Sequence, residues 1–177
     1  VLYRFCLSLV MADVVVVLGA EAGILDGDLS LSEYYASEGF DVIHVDRSVK
    51  QYGQENIRAE AVNVLEDDDV STLKSLVMND YGGCDHLITV VGGAEMFEQE
   101  TEWERADIRS TLHKNLSQQI YVANEFAPLL RKTDGRSSIT VMSSVNASGR
   151  FELPVYSAAK AGLEGFVRAA ANRYAPD

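Results

Sequence analysis

The sequence predicts a single α/β domain built on a doubly wound parallel sheet, and three observations predict it. Five short runs rich in aliphatic and β-branched residues alternate with stretches of helical periodicity. Those runs are apolar almost throughout, which suits strands buried on both faces rather than strands with one wet face. The first run leads directly into a glycine-studded turn, as a tight strand-to-helix connection requires. A length of 177 residues suits one domain, and no internal repeat or Pro- or Ser-rich linker divides it. Right-handed crossovers between parallel strands then place helices on both faces.

The elements follow in order. Residues 12–18 (ADVVVVL) read as a buried strand, followed by Gly19, Gly23 and Gly27 in the turn. A helical pattern with Leu31, Tyr34, Tyr35 and Glu38 comes next, and Gly39 ends it as a C-cap does. Residues 41–46 (DVIHVD) and 59–65 (AEAVNVL) read as the second and third strands. Asp67, Asp68 and Asp69 offer an N-cap and first-turn acids for a helix through Tyr81, where Gly82 and Gly83 end it. Residues 86–91 (HLITVV) form the fourth strand, closing on Gly92 and Gly93. A long helical region over 101–131 is expected to break near 109–114. A turn at 133–136, a fifth strand at 137–142 (SSITVM) and a last helix from Pro154 to about Ala175 complete the chain.

Asp and Glu number 27 against 15 Lys and Arg, for a formal net charge of -12. That field repels phosphate backbones and anionic headgroups, so neither nucleic acid nor a membrane is expected as a partner. Backbone N–H groups can still hold a phosphate locally, which keeps a nucleotide ligand open. No apolar run approaches the ~18 residues of a membrane span. Cys6 and Cys84 form neither a disulfide framework nor a metal knuckle and read as reduced thiols of a cytoplasmic protein. His44, His86 and His113 lack ligand spacing, so no metal site is expected. Residues 1–10 (VLYRFCLSLV), too short for a secretory signal with its flanks, read as an extension ahead of a domain spanning 11–177.

Ligands of such sheets sit outside the carboxyl ends of the strands, at the switch point of strand order. Gly19 and Gly23 let backbone N–H groups meet a pyrophosphate with no Cβ in the way. Asp46 ends the second strand, 23 residues after Gly23. A carboxylate there accepts hydrogen bonds from both ribose hydroxyls of an adenosine and repels a 2′-phosphate, favouring NAD over NADP. Arg47 offers a 2′-phosphate the opposite sign, and a plain turn cap on Ser48 is the structural alternative for Asp46.

The most informative stretch runs from Ser143-Ser144 to Tyr156 and Lys160. Tyr156 and Lys160 lie four apart, so a helix puts them on one face. A free tyrosine, with a pKa of ~10, is phenolate only about one time in a thousand at pH 7. An ammonium ~4 Å away is worth roughly 4 kcal/mol at an effective dielectric of ~20, enough to draw a phenol toward acid–base work near neutral pH. A lysine so placed can also hold the nicotinamide ribose hydroxyls of a bound cofactor, and a serine hydroxyl ending the fifth strand can hold a substrate oxygen. With eight tyrosines, about half a YxxxK arises by chance, so the motif gains meaning only beside the Ser pair and the glycine turn.

Taken together, VVVVLGAEAGI, HVDRS, TVVGGA, Asn115-Leu116 with Pro128 thirteen residues on, ITVMSSV and YSAAKAGLEGFVRAAANRYAPD resemble a short-chain dehydrogenase/reductase of the shorter-branch type. The resemblance runs from Met11 to the end of the chain. It implies a Rossmann-like three-layer α/β/α sandwich, here lacking the usual last strands. It also implies Tyr156 as catalytic acid–base, Lys160 as its partner, Ser144 as the substrate-oxygen donor, with Ser143 as fallback, and Asn115 at a helix kink holding a water of the proton relay. The cofactor-binding set implied is Gly19, Gly23, Ile24, Asp46, Asn63, Val64, Gly92, Tyr156 and Lys160, with NAD as cofactor and NADP second. Implied partners are a small-molecule alcohol or carbonyl substrate and further copies of the chain in a homodimer or homotetramer.

Departures accompany the resemblance. Leu25 stands where the family's third turn glycine belongs, with extra residues around Asp26-Gly27-Asp28. Asn63 replaces an Asp common near the adenine, and Thr89-Val90-Val91-Gly92 replaces Asn-Asn-Ala-Gly. The chain stops just after the YxxxK helix, which points to a shortened member or a fragment. Three readings result: an NAD(H)-dependent alcohol/ketone oxidoreductase, a non-catalytic nucleotide-binding or interaction protein of the same fold, and a lyase or epimerase reusing the site. Turnover separates the first from the second, and stoichiometric NADH change separates it from the third.

Overall fold

In the computed structural model, which describes residues 12–21, 30–95, 102–132 and 136–174, five strands form one parallel sheet. They are β1 (Val14–Leu18), β2 (Asp41–Asp46), β3 (Ile57–Ala61), β4 (His86–Thr89) and β5 (Ser138–Val141). Their order is β3-β2-β1-β4-β5. The chain therefore winds outward from β1 to one side and returns to begin β4 on the other, which opens a crevice above β1. The alternation of apolar runs and helical patterns is realised as expected, because a strand that is buried on both faces has no polar side to show.

Side-chain parity divides the core into two layers. On one face Val14, Val16, Leu18, Ile43, Val45 and Leu87 pack against Val70, Leu73 and Val77 of α2 (Asp67–Tyr81) and against Val122, Phe126 and Leu129 of α4 (Gln118–Leu130). On the other, Val15, Val17, Val42 and Ile88 meet Leu31, Tyr35 and Ala36 of α1 (Leu31–Ser37), with Phe40 and Tyr52 beside them. The helix α5 (Pro154–Tyr174) packs on α3 (Arg105–Leu112) and on the π-helical turn His113–Ser117 that joins α3 to α4. Cys84 is buried in the first layer, and burial pushes its thiol up to about 12. Cys6 lies outside the described residues.

Several boundaries differ from expectation for local reasons. β3 spans 57–61 rather than 59–65, because Asn56 Nδ2 donates to the carbonyls of Ala36 and Phe40 and its carbonyl accepts from Val42 N, starting the ladder early. The ladder closes with Val62 N on Asp46 O, so Val64 is buried beneath a loop and not in a strand. β4 stops at Thr89, shortly before Gly92 and Gly93 turn the chain at φ 142° and 147°. The helix α2 begins at Asp67 with Glu66 as an N-cap that makes no side-chain bond, while Asp69 accepts instead from Asn63 N at 3.0 Å. The first helix carries a capping box, Ser30 with Glu33, at an S-x-x-E pattern the sequence does offer. The expected break in the long helical region falls at 113–117 and takes the form of the π-turn.

Candidate functional site

A cleft of about 360 Å³ opens at the carboxyl ends of β1, β2 and β4, at the switch point. Gly19 begins its floor with φ 74°, and a Cβ there would stand 2.9 Å from Val91 N. Both Gly19 N and Ala20 N donate to Val45 O, which pins the turn to the end of β2. Asp46 projects at the same place. Its Oδ1 accepts from Arg47 N at 2.7 Å and its Oδ2 from Glu21 N at 3.2 Å, and the carboxylate lines the cleft. Asn63 and Val64 form the adjoining wall, with Val64 O accepting from Gln118 Nε2 at 2.7 Å. Gly23 and Ile24 lie outside the described residues.

Gly92 marks the other end. A Cβ on it would come within 2.6 Å of Asn115 Oδ1 and 3.2 Å of Lys160 Nζ, so this glycine lets two functional side chains meet over bare backbone. Asn115, fully buried in the π-turn, accepts from Gly93 N at 2.8 Å and donates to the carbonyls of Gly93 and Thr111, each at 3.0 Å. Asn115 stands within the π-turn that joins α3 to α4, a form often found at functional positions. Lys160, 3% exposed, donates to Met142 O at 2.8 Å, and its ammonium lies 5.8 Å from the centre of the Tyr156 ring. Burial pulls Lys160 below the ordinary lysine range.

The two candidate serines differ in their partners. Ser143 Oγ donates to Glu164 Oε1 at 2.9 Å, which ties it to α5. Ser144 caps the short 3-10 turn Val145–Ser148, where its Oγ accepts from Asn146 N at 3.1 Å. The structure thus gathers Gly19, Asp46, Asn63, Val64 and Gly92 around one cleft, with Asn115 and Lys160 against Gly92 and Tyr156 beside Lys160.

Some cleft residues escaped the sequence reading. Glu21 lines it beside Asp46, and Lys114 lines it while paired with Glu95. Their only sequence signals were adjacency, Glu21 to Gly19-Ala20 and Lys114 to Asn115. Among the described residues there is no His, Cys, Asp or Glu group fit to hold a metal, and no helix long and apolar enough to cross a membrane.

The family model of short-chain dehydrogenases matches residues 13–177. This chain belongs to the short-chain dehydrogenase family. It is 33% identical over 167 residues to an uncharacterized oxidoreductase of Schizosaccharomyces pombe, a match covering 92% of this chain and 62% of that protein. It is 29% identical over 164 residues to an 11-beta-hydroxysteroid dehydrogenase-like protein of Arabidopsis thaliana, covering 86% and 41%. The chain thus spans about half the length of these relatives.

Among solved structures, a short-chain dehydrogenase from Streptomyces avermitilis superposes with TM-score 0.77 at 23% identity, over 93% of this chain and 61% of that one. One from Leptospira borgpetersenii with bound NAD+ gives 0.77 at 19%, over 94% and 67%. These likenesses establish the Rossmann-like fold. Short-chain dehydrogenases bind a nicotinamide cofactor, and the open cleft at the switch point, lined by Gly19, Asp46, Asn63 and Gly92, offers such a group polar side chains at the carboxyl ends of the strands.

Proposed function

We propose that the short-chain dehydrogenase domain over 11–177 is an NAD(H)-dependent oxidoreductase that interconverts an alcohol and its ketone or aldehyde. The observation that carries the reading is the buried ammonium of Lys160, held by Met142 O beside the Tyr156 ring and next to Asn115 and Gly92. Retaining a lysine at 3% exposure costs desolvation, which a purely structural role does not call for.

In this reading the bound dinucleotide supplies the hydride. Tyr156 gives or takes the proton at the substrate oxygen, in line with general acid–base catalysis. Lys160, its ammonium 5.8 Å from the centre of the Tyr156 ring, holds positive charge beside the reacting oxygen. Ser144, whose Oγ accepts one backbone bond and keeps its own proton, donates that proton to the substrate oxygen. Ser143 is less suited because its proton already goes to Glu164. Asn115 holds the Gly93 backbone at the nicotinamide end, and Met142 O holds the Lys160 ammonium. Asp46 accepts the adenosine ribose hydroxyls and turns away a 2′-phosphate, which favours NAD over NADP.

The test is a panel of secondary alcohols and ketones assayed with wild type and Tyr156→Phe, alongside NADH binding. Turnover lost on substitution with NADH binding retained supports the reading. Turnover unchanged in the variant overturns the role of Tyr156, and NADH binding with no turnover in wild type moves the reading to a nucleotide-binding protein.

A further inference from the structure

Glu21 stands in the turn after β1 and lines the cleft with Asp46, and its own N–H donates to the Asp46 carboxylate. Its carboxylate is not loose. Glu21 Oε1 lies 3.1 Å from His44 Nε2 and 3.4 Å from the Tyr52 hydroxyl. His44, wholly buried in β2 two residues before Asp46, has Ser32 Oγ at 2.9 Å and the Tyr52 hydroxyl at 3.1 Å on Nδ1. The Tyr52 ring tilts over the imidazole at a centroid distance of 4.7 Å. The Glu21 carboxylate can only accept, so Nε2 carries the N–H that donates to it and Nδ1 accepts from a hydroxyl; the Tyr52 hydroxyl also lies 3.3 Å from Nε2. Burial holds His44 below the ordinary histidine range, so at neutral pH it orients Glu21 without cancelling its charge.

Building on the NAD reading of the cleft, we propose that Glu21 is a second specificity-determining carboxylate, aimed by His44 and Tyr52, that acts with Asp46 to exclude a 2′-phosphate from the adenosine ribose. Oε1 is used by His44 and Tyr52, while Oε2 remains for a ribose hydroxyl. A 2′-phosphomonoester, carrying between one and two negative charges, would meet two carboxylates instead of one. Arg47, in the same wall, offers the compensating charge, and a lone carboxylate beside it leaves the discrimination between cofactors shallow. The pair makes it steep. At about 6 Å in a water-like dielectric, one carboxylate changes the affinity for such a phosphate about tenfold.

The experiment is equilibrium titration of the chain with NADH and with NADPH, at low and at high salt, for wild type, Glu21→Gln, Glu21→Asp, Tyr52→Phe and Asp46→Asn. The expected results are a wild type that prefers NADH and a Glu21→Gln variant whose NADPH affinity rises about tenfold while NADH affinity stays within about twofold. Glu21→Asp keeps the charge and keeps the preference, which separates charge from any structural role. Tyr52→Phe moves the NADH-to-NADPH ratio a few-fold in the same direction as Glu21→Gln. The preference of wild type shrinks with salt more steeply than that of Glu21→Gln. An unchanged ratio in Glu21→Gln, with Asp46→Asn relaxed, overturns this inference and leaves the NAD reading standing. A wild type that binds neither dinucleotide, or prefers NADPH, overturns both.

Discussion

At the β1–β2 end of the cleft the functional side chains are acidic and half-exposed or exposed, and they rest on one another through backbone N–H donors. At the β4–α5 end two of them are buried: Asn115 is wholly enclosed and Lys160 is 3% exposed. Their hydrogen bonds among the described residues go to backbone carbonyls or a backbone N–H, while Tyr156 and Ser144 beside them are half-buried. The first end can therefore change its ligand preference without disturbing the fold. The second cannot lose Asn115 without leaving buried backbone groups unpaired. The two ends of the cleft thus differ in how much substitution they tolerate.

The largest effect expected from breaking this comparison is on turnover. Tyr156→Phe should lower kcat by about 10²–10⁴ while NADH affinity stays within about threefold, since the phenol acts on the proton and not on the fold. A titration beside a steady-state assay checks it. Next comes the serine pair. Ser144→Ala should reduce kcat/KM about a hundredfold, as loss of one oxyanion-type donor does, whereas Ser143→Ala should change it only a few-fold. Equal losses would mean that both serines reach the substrate.

Effects on stability follow. Asn115→Ala should cost about 3 kcal/mol in denaturant unfolding, because it removes three hydrogen bonds to the Gly93 and Thr111 backbone. Gly92→Ala should destabilise by a similar amount, through φ 142° and a Cβ 2.6 Å from Asn115 Oδ1. Asp46→Asn, at the half-exposed end, should leave the unfolding midpoint nearly unchanged.

The smallest effect is a pH dependence. The folded-state pKa of His44 is depressed by burial, so the unfolded chain takes up its proton first, near pH 6.5. Stability is then level above that pH and falls as pH drops below it, by at most about 1.4 kcal/mol per pH unit. Unfolding midpoints between pH 7 and 5 should show this limb, and His44→Gln should flatten it.

The sheet was legible in the sequence because its strands are apolar on both faces, and 41–46 and 67–81 stand where they were read. The end of β3 was not, since Val62, Val64 and Leu65 continue the apolar pattern beyond the last ladder bond and are held by a loop. The Asp run supplies the first-turn acids of α2 as read, but not its cap: Glu66 is the N-cap, and Asp69 spends its carboxylate on Asn63 N. At the site, Tyr156 and Lys160 were legible because a helix fixes what four residues of spacing mean. The contact of Glu21 with His44 and Tyr52 spans 23 and 31 residues and depends on β1 pairing with β2, so no local pattern announces it. The grip of Asn115 on Gly93 likewise arises only when the π-turn meets the end of β4.

The most direct measurement is calorimetric titration of the wild-type chain with NADH and, separately, with NADPH. Micromolar binding with NADH preferred is the predicted result, on the proposal that Asp46, which lines the cleft at the end of β2, receives the adenosine ribose. Binding of neither cofactor, or a preference for NADPH, would contradict the assignment of an NAD-dependent oxidoreductase.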